Sequence, residues 1–228
     1  MVAVAAGTRI ERSIEFPAAS FVPSPELTQI AVVTVAWQGL AGTSCLIKVA
    51  PDNRRVDLDR LDLARTQVVL VTNYGDMRFS FRPEKAPKTV RNFLQLCLSG
   101  FYDGTKFHRV KQDFMIQGGD PNTKDGPMET WGGGGPGYAI KAEFSDLRHL
   151  RGTLSMARGS DPDSAGSQFF VVHKDSPHLD GKYSAFGNLE EGADTLDRIA
   201  YVPVGGVQRE TPVSPVIIRH AIVLPVTR

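Results

Sequence analysis

Residues 106–119 read KFHRVKQDFMIQGG, and this stretch decides the class of fold. It holds two short strand-like segments, 106–110 and 114–117, joined by a polar turn. Comparable short runs recur later in the chain, at residues 138–143, 152–157, 168–172, 184–188 and 216–224. Strands that follow one another without helices between them argue against a doubly wound α/β sheet.

Upstream of this stretch, residues 66–82 predict a β-hairpin. The first half is rich in Val, Leu and Thr, which favour strands. In the second half Met77, Phe79 and Phe81 alternate with polar residues, as in a half-buried strand. The tripeptide YGD between the halves supplies the turn.

Two helices are predicted, far apart in the sequence. Pro87 stands where a first helical residue is favoured and Gly100 where a helix ends, and apolar residues between them have helical spacing. Residues 194–201 repeat that spacing over a shorter length. About eight strands and two helices predict a mainly β fold, a closed eight-stranded antiparallel β-barrel capped by two α-helices, because closure removes exposed strand edges.

The composition of the 228-residue chain is that of a globular protein, and its 22 glycines and 15 prolines suit a turn-rich β fold. Lys and Arg number 26 against 25 Asp and Glu, so the net charge of +1 argues against a nucleic-acid binder that relies on bulk positive charge. No apolar run approaches the length of a membrane span. Cys45 and Cys97 are too few for a disulfide framework.

Residues 1–65 differ from the rest, and we expect them to form an N-terminal extension of unassigned structure before a domain at 66–228. They contain only three of the 22 glycines and a single long apolar run, at 30–37. Four interpretations stay open for this extension: an added strand, a loose tail, a misassigned start site or a processed export signal.

Two stretches of the chain resemble familiar binding motifs but lack the structural context that those motifs require. Residues 132–137, GGGGPG, formally match a dinucleotide-binding fingerprint, but no strand is expected before them and no helix after them. A surface loop beside the site is therefore favoured over phosphate binding. His173 and His178 are five residues apart, a spacing that does not stack two ligands on a helix, so a metal site is not expected.

The chemistry-bearing residues stand among large apolar ones in three segments, which span 107–120, 152–171 and 178–187. Strand alternation places Phe107 and Arg109 on one face of the first segment. Met115 and Gln117 share a face in the same way, whereas Phe114 has the opposite parity unless a loop or bulge turns it. Periodicity does not show whether these groups converge, so an ordinary core with surface charges remains the alternative.

The same three segments, FHRV…FMIQGGDP, GTLSMAR…GSQFFV and HLDGKYSAFG, resemble those of cyclophilin-type peptidyl-prolyl cis–trans isomerases in order and spacing, with a closer likeness to bacterial members. The resemblance runs from about Thr66 to the C-terminus. It implies an eight-stranded barrel with two helices, which agrees with the independent count of elements. It also implies that the activity is rotation about Xaa–Pro peptide bonds.

Carried over residue by residue, the resemblance implies a site. Arg109 would be the essential arginine, with Phe114 and Gln117 as the other catalytic residues. The substrate-binding residues would be His108, Met115, Ala157, Arg158, Gly159, Gln168, Phe170, His178, Leu179 and Tyr183.

Two positions depart from the family pattern. His178 stands where many eukaryotic members have a tryptophan, and Tyr183 stands where they have a histidine. Neither position supplies the arginine or the pocket floor. The departures therefore bear on tight cyclosporin binding, a trait of some members, rather than on turnover.

The resemblance implies an enzyme that needs no cofactor and no metal. Its partners would be proline-containing peptides and the unfolded or loop segments of client proteins, whose folding it would assist. We expect a monomer that binds no nucleic acid and resides in the cytoplasm, or that is exported or periplasmic if residues 1–65 contain a processed signal. The alternative function is a non-catalytic proline-peptide binding module or scaffold.

Overall fold

The chain divides into two compact units, Met1–Val49 and Ala50–Arg228. The computed structural model describes the backbone of residues 31–36 and 44–49, and in full Asn53 and residues 56–206 and 209–225. In the first unit, strands β1 (Ala31–Ala36) and β2 (Ser44–Val49) pair in antiparallel fashion. The apolar run at 30–37 thus contains a strand, and the predictions for residues 1–30 lie outside the described residues.

The second unit contains ten described strands: β3 (Gln67–Thr72), β4 (Gly75–Phe81), β5 (Arg109–Lys111), β6 (Met115–Gly118), β7 (Thr153–Met156), β8 (Phe169–Val172), β9 (Ala185–Glu191), β10 (Val204–Gly205), β11 (Thr211–Pro212) and β12 (Ile218–Leu224). Its helices are α1 (Pro87–Leu98) and α2 (Ala193–Ala200). Within the described residues, no helix has the length and apolar character needed to cross a membrane.

Eight of these strands form one antiparallel sheet in the order β12-β3-β4-β9-β7-β8-β6-β5. The short strands β10 and β11 pair only with each other. The predicted hairpin at 66–82 is present as β3 and β4, and both predicted helices are present. The mainly β fold with two helices is therefore confirmed.

The sheet is an open half-barrel, so the expectation of a closed barrel is wrong. Its end strands β12 and β5 do not pair with each other in a regular ladder. The segment before β5 spans the gap instead, because Gly104 donates to the Ile218 carbonyl at 2.8 Å and Phe107 to that of Val216 at 2.9 Å. These hydrogen bonds pair some of the backbone groups at the sheet edge, although the barrel does not close.

The main core lies between the sheet and α1. Four apolar residues of α1 have no solvent-exposed area, namely Val90, Phe93, Leu94 and Cys97. The Phe93 ring meets four other aromatic rings at centroid distances of 5.2–5.8 Å, those of Phe81, Tyr102, Phe169 and Phe186. Burial raises the pKa of the Cys97 thiol, which packs here as a small apolar residue.

Residues 138–143, which were predicted to form a strand, form none. One isolated bridge joins Ile140 to Ala165. The Glu143 N–H donates to the hydroxyl of Ser184 at 2.9 Å rather than to a neighbouring strand. The segment is a loop because side chains satisfy backbone groups that a ladder would otherwise pair.

Residues before β3 also pack on the sheet. Leu61 is 1% exposed and belongs to the main core. The Asn53 carboxamide donates to the carbonyls of Cys97 and Ala221 at 3.1 and 2.8 Å. It accepts from the N–H of Val223 at 3.1 Å and so occupies part of the exposed edge of β12.

Candidate active site

A cleft of about 660 Å³ lies beside strands β5, β6 and β8. Ten of the thirteen residues expected at the site line it: His108, Arg109, Phe114, Met115, Gln117, Ala157, Arg158, Phe170, Leu179 and Tyr183. Gly132, from the glycine-rich run expected beside the site, also lines the cleft, and the wall residues that the sequence did not indicate are Met128, Glu129, Trp131, Gly206, Glu210 and Thr211. The groups that periodicity could not bring together therefore do converge.

One row of the sheet organises the cleft. Arg109 lies opposite Gln117 in the β5–β6 pair, and Gln117 lies opposite Phe170 in the β6–β8 pair. Ser155 of β7 lies opposite Phe170 on the other side. Residues directly opposite across antiparallel strands share a face of the sheet. Strand pairing alone therefore gathers side chains that are far apart in the sequence.

The floor of the cleft is a small apolar cluster separate from the main core. Met115, Phe170 and Leu179 are 2%, 5% and 7% exposed. Phe114 and Tyr183 pack against them and remain partly exposed. This floor offers an aromatic and thioether surface of the kind that accepts a small apolar ring.

Phe114 reaches the cleft because the chain turns just before it. Asp113 has a φ of 58°, in the left-handed region, and its N–H donates to Nδ1 of His173 at 3.0 Å. The Phe114 carbonyl accepts from the His173 N–H at 2.8 Å. The turn lets the Phe114 side chain pack against the same cluster as Met115, although the two residues have opposite strand parity.

The expectation that Phe107 and Arg109 share a face is wrong. Phe107 is 1% exposed in the main core, with its ring 6.0 Å from that of Phe169. His108 and Arg109 both line the cleft. Strand β5 begins only at Arg109, and the Phe107 N–H donates to the carbonyl of Val216, just before β12. The alternation of β5 therefore does not extend back to Phe107.

A chain of hydrogen bonds links the arginine to the glycine-rich loop. Arg109 Nη1 donates to Oε1 of Gln117 at 3.5 Å, and Gln117 Nε2 donates to Oε1 of Gln168 at 3.0 Å. Gln168 Nε2 then donates to the carbonyls of Gly132 and Gly134 at 2.9 and 2.8 Å. Each amide is thereby held in one orientation, which fixes the polar rim of the cleft.

The glycine-rich loop is fastened by the buried Asp120. Its carboxylate accepts from the N–H groups of Gly132 and Gly134. A Cβ at Gly134 would lie 2.1 Å from Asp120 Oδ1, and Gly132 has a φ of +88°, so both positions favour glycine. The loop lies beside the cleft, as expected.

Three expected residues do not line the cleft. Gln168 supports the rim through the hydrogen bonds described above. Gly159 lies on the exposed strip after Ala157, where its N–H donates to the Ser164 hydroxyl at 2.9 Å. The exposed His178 packs its ring 5.4 Å from that of Phe114, outside the lining but against the floor.

His108 brings a buried imidazole to the cleft. The residue is 6% exposed, and neither ring nitrogen has a hydrogen-bond partner among the described residues. Burial lowers the pKa of His108 more than the nearby Asp120 carboxylate raises it. His108 thus places a neutral imidazole in the cleft wall, with both ring nitrogens buried and unpaired among the described residues.

A second histidine supports the floor from below. The His149 side chain has no exposed area and stacks on Phe170 at 6.0 Å. Its Nδ1 lies 3.0 Å from an oxygen of Asp180, and its Nε2 lies 3.0 Å from the Ser155 hydroxyl. Burial lowers the pKa of His149 despite the opposing effect of Asp180. Ser155 is fully buried and so cannot reach a ligand in the cleft.

Glu210 is the missed residue with the strongest contact to the expected set. Its Oε2 accepts from Nε of Arg109 at 2.5 Å, and its Oε1 lies 3.2 Å from Nζ of Lys111. Burial alone would raise the pKa of the Glu210 carboxyl, but hydrogen bonds from Arg109 and Lys111 outweigh it and lower the pKa. Glu210 is about a hundred residues from Arg109, and no local pattern relates the two.

Comparison with known proteins places the chain in a family. The family profile described as "Cyclophilin type peptidyl-prolyl cis-trans isomerase/CLD" matches residues 67–223. A peptidyl-prolyl cis-trans isomerase of Synechococcus elongatus is 48% identical over 126 residues, covering 55% of this chain and 81% of the relative. The peptidyl-prolyl cis-trans isomerase-like 3 of Gallus gallus is 43% identical over 140 residues, covering 60% and 83%.

Solved structures give the same result. A cyclophilin-type isomerase of Cryptosporidium parvum, crystallised in the presence of the dipeptide Ala-Pro, is 36% identical with a TM-score of 0.63, covering 69% of this chain and 98% of that one. A cyclophilin of Hirschia baltica is 29% identical with a TM-score of 0.56, covering 73% and 74%. Profile, sequence and fold agree over the domain that holds the cleft, and the chain belongs to the cyclophilin-type peptidyl-prolyl cis–trans isomerase family.

Proposed function

We propose that the cleft catalyses cis–trans rotation about Xaa–Pro bonds and that Arg109 is its catalytic group. The observation that carries this proposal is the position of the Arg109 guanidinium at the rim of an apolar floor. Its Nε and Nη1 are engaged by protein groups, while Nη2 has no hydrogen-bond partner among the described residues. A fixed cationic donor therefore stands beside a surface suited to a proline ring.

The chemistry follows from the amide bond. Conjugation of the nitrogen lone pair gives the bond a rotation barrier of about 18–20 kcal/mol. In the twisted transition state this conjugation is lost, and the prolyl nitrogen becomes a better hydrogen-bond acceptor. A guanidinium aimed at it binds the twisted state better than either planar isomer, which is catalysis by differential binding. The reaction needs no covalent intermediate.

The substrate class we propose is a proline-containing peptide or an unfolded or loop segment of a client protein. The proline ring would lie on Phe114, Met115, Phe170 and Leu179. Gln117 and the backbone of 157–159 would orient the flanking peptide, with His108, Gln168, His178 and Tyr183 around the rim. The Cryptosporidium parvum relative was crystallised with Ala-Pro, which supports this class of ligand.

The magnitude required is modest. Five decades of rate acceleration correspond to about 7 kcal/mol of transition-state stabilisation. Single fixed donors in water-poor sites contribute about 3–4 kcal/mol each. An oriented arginine together with apolar burial of the proline ring is enough to supply a transition-state stabilisation of this size.

Exchange NMR on an Ala-Pro peptide tests the proposal. The wild type should accelerate the exchange, and Arg109→Ala should lower kcat/KM by about 10²–10³-fold, the effect of removing one preorganised donor. Arg198→Ala removes an exposed arginine on α2 and serves as the matched control. Absence of acceleration by the wild type would favour the binding-module alternative, and full activity in Arg109→Ala would exclude the arginine mechanism.

The domain limits and the compartment are also proposals. We propose an isomerase domain at 66–228 with an N-terminal extension at 1–65; the core position of Leu61 favours a somewhat earlier start. We propose a cytoplasmic monomer, with export as the alternative. Mass spectrometry of the mature N-terminus distinguishes the compartments, because removal of the first 45 or so residues would indicate a processed signal.

A further inference from the structure

Arg109 and Glu210 form a close, partly buried pair in the cleft wall. The Glu210 side chain is 15% exposed and that of Arg109 is 39% exposed. One carboxylate oxygen takes the arginine Nε at 2.5 Å, and the other faces Nζ of Lys111 at 3.2 Å. The carboxylate is therefore held between two cations, and its hydrogen bond to the guanidinium is made at Nε.

Glu210 is placed by backbone contacts that do not involve the arginine side chain. The Glu210 carbonyl accepts from the N–H of Val110 at 2.6 Å, which brings residue 210 alongside β5. The hairpin of β10 and β11 continues directly from it, with Val204 opposite Pro212. The carboxylate thus stands in position before any ligand binds.

A guanidinium at an open sheet edge needs such a restraint. The arginine side chain has several rotatable bonds, and ordering it costs rotamer entropy. Its hydrogen bond to Gln117, at 3.5 Å, is long. A carboxylate at Nε fixes the plane of the guanidinium, while Nη2 has no hydrogen-bond partner among the described residues.

We propose that Glu210 is a positioning residue for catalysis, which acts by orienting Arg109 toward the prolyl nitrogen. The inference rests on the proposed isomerase function. It adds a residue from the β10–β11 hairpin to a site otherwise built from the sheet and the loops that cap it. Glu210 does not contact substrate in this proposal, so its effect passes entirely through Arg109.

A double-mutant cycle tests the proposal. Glu210→Ala should lower kcat by about ten- to hundredfold, since a misplacement of about 1 Å costs on that order. KM and the dissociation constant of the dipeptide Ala-Pro should stay near wild type, because the lost interaction acts in the transition state. Arg109→Ala/Glu210→Ala should be no slower than Arg109→Ala alone, because Glu210 has nothing left to orient.

Two further variants serve as controls. Glu210→Gln keeps an oxygen acceptor at the same reach and should retain more activity than Glu210→Ala; it also keeps the test valid if the alanine variant fails to fold. Glu191→Ala removes a carboxylate paired with Arg78 at 3.2 Å on the same sheet, away from the cleft, and should leave turnover unchanged.

The outcomes separate this inference from the proposed function. A wild type without turnover would overturn the isomerase proposal itself. An active wild type with an equally active Glu210→Ala would overturn only the positioning role. The same loss on removing Glu210 from wild type and from Arg109→Ala would also overturn it, because a purely structural effect is additive.

Discussion

The buried His149 has to stay neutral for its hydrogen bonds beneath the cleft to form. Asp180 can only accept a hydrogen bond, so Nδ1–H of His149 donates to it and Nε2 accepts from the Ser155 hydroxyl. The neutral imidazole satisfies both contacts. Protonation of Nε2 would require the Ser155 hydroxyl to turn from donor to acceptor and would place a charge beneath Phe170, which burial disfavours.

We predict that stability falls as the pH drops below neutrality. The folded state lowers the pKa of His149 below its ordinary 6.5, so the unfolded chain binds the proton more readily. The free energy of unfolding is therefore highest above 6.5 and decreases as the pH falls through that value. His108 acts in the same direction, and the lowered pKa of Asp180 extends the loss to pH values below its ordinary 3.8.

Urea unfolding between pH 8 and pH 5 measures this effect. The dependence on pH should be shallower in His149→Gln than in wild type, because the variant has no imidazole to protonate at this site. Equal steepness in the two proteins would contradict the assignment to His149.

Among the elements, α1 depends on a distant carboxylate at its N-terminus. The residue before the helix is Ala86, which offers no side-chain cap. Glu143 supplies the acceptors instead, since its carboxylate accepts from the N–H groups of Lys88 and Thr89 at 3.1 and 2.8 Å and from the Thr89 hydroxyl at 2.8 Å. A negative charge at this end also suits the helix dipole. The loop at 138–143 thus has a structural role although it forms no strand.

Glu143→Ala should destabilise the protein by about 0.5–2 kcal/mol, the usual cost of losing an N-cap. Such a loss corresponds to a fall in Tm of about 2–4 °C per kcal/mol for a chain of this size, measurable by thermal unfolding. Glu84→Ala is the matched control, because Glu84 is exposed near the same helix end and has no hydrogen bond among the described residues. A Glu143→Ala variant as stable as Glu84→Ala would exclude the capping role.

On the scale of the whole molecule, the second unit includes residues that precede the family match. Leu61 fills part of the main core, and Asn53 bonds to β12 and to the end of α1. These contacts belong to the unit that holds the cleft.

Two shortened chains test where the folding unit begins. A chain that starts at Ala50 should keep wild-type turnover and unfold cooperatively. A chain that starts at Thr66 should be less stable by about 2–5 kcal/mol, the cost of removing a buried leucine side chain. Urea unfolding of both measures the difference, and Leu61→Ala in the full chain should reproduce much of it. Equal stability of the two shortened chains would place the start at Thr66.

Local sequence determined most of the elements. The hairpin at 66–82, α1 between Pro87 and Gly100, and the short strands follow from side-chain periodicity and from residues that start or stop elements, which act over a few positions. Alternation failed at Phe107, and the strand expected at 138–143 is a loop. In both places the backbone finds partners on distant segments, which no local pattern encodes.

The family resemblance in the three segments predicted ten of the seventeen residues that line the cleft, but only the tertiary structure decided how they are arranged. Strand register sets Arg109, Gln117 and Phe170 in one row. The chain's return through the β10–β11 hairpin sets Glu210 against that row. Local periodicity has a range of a few residues, whereas a site depends on which strands pair and in what register, and that is settled by the packing of the whole sheet.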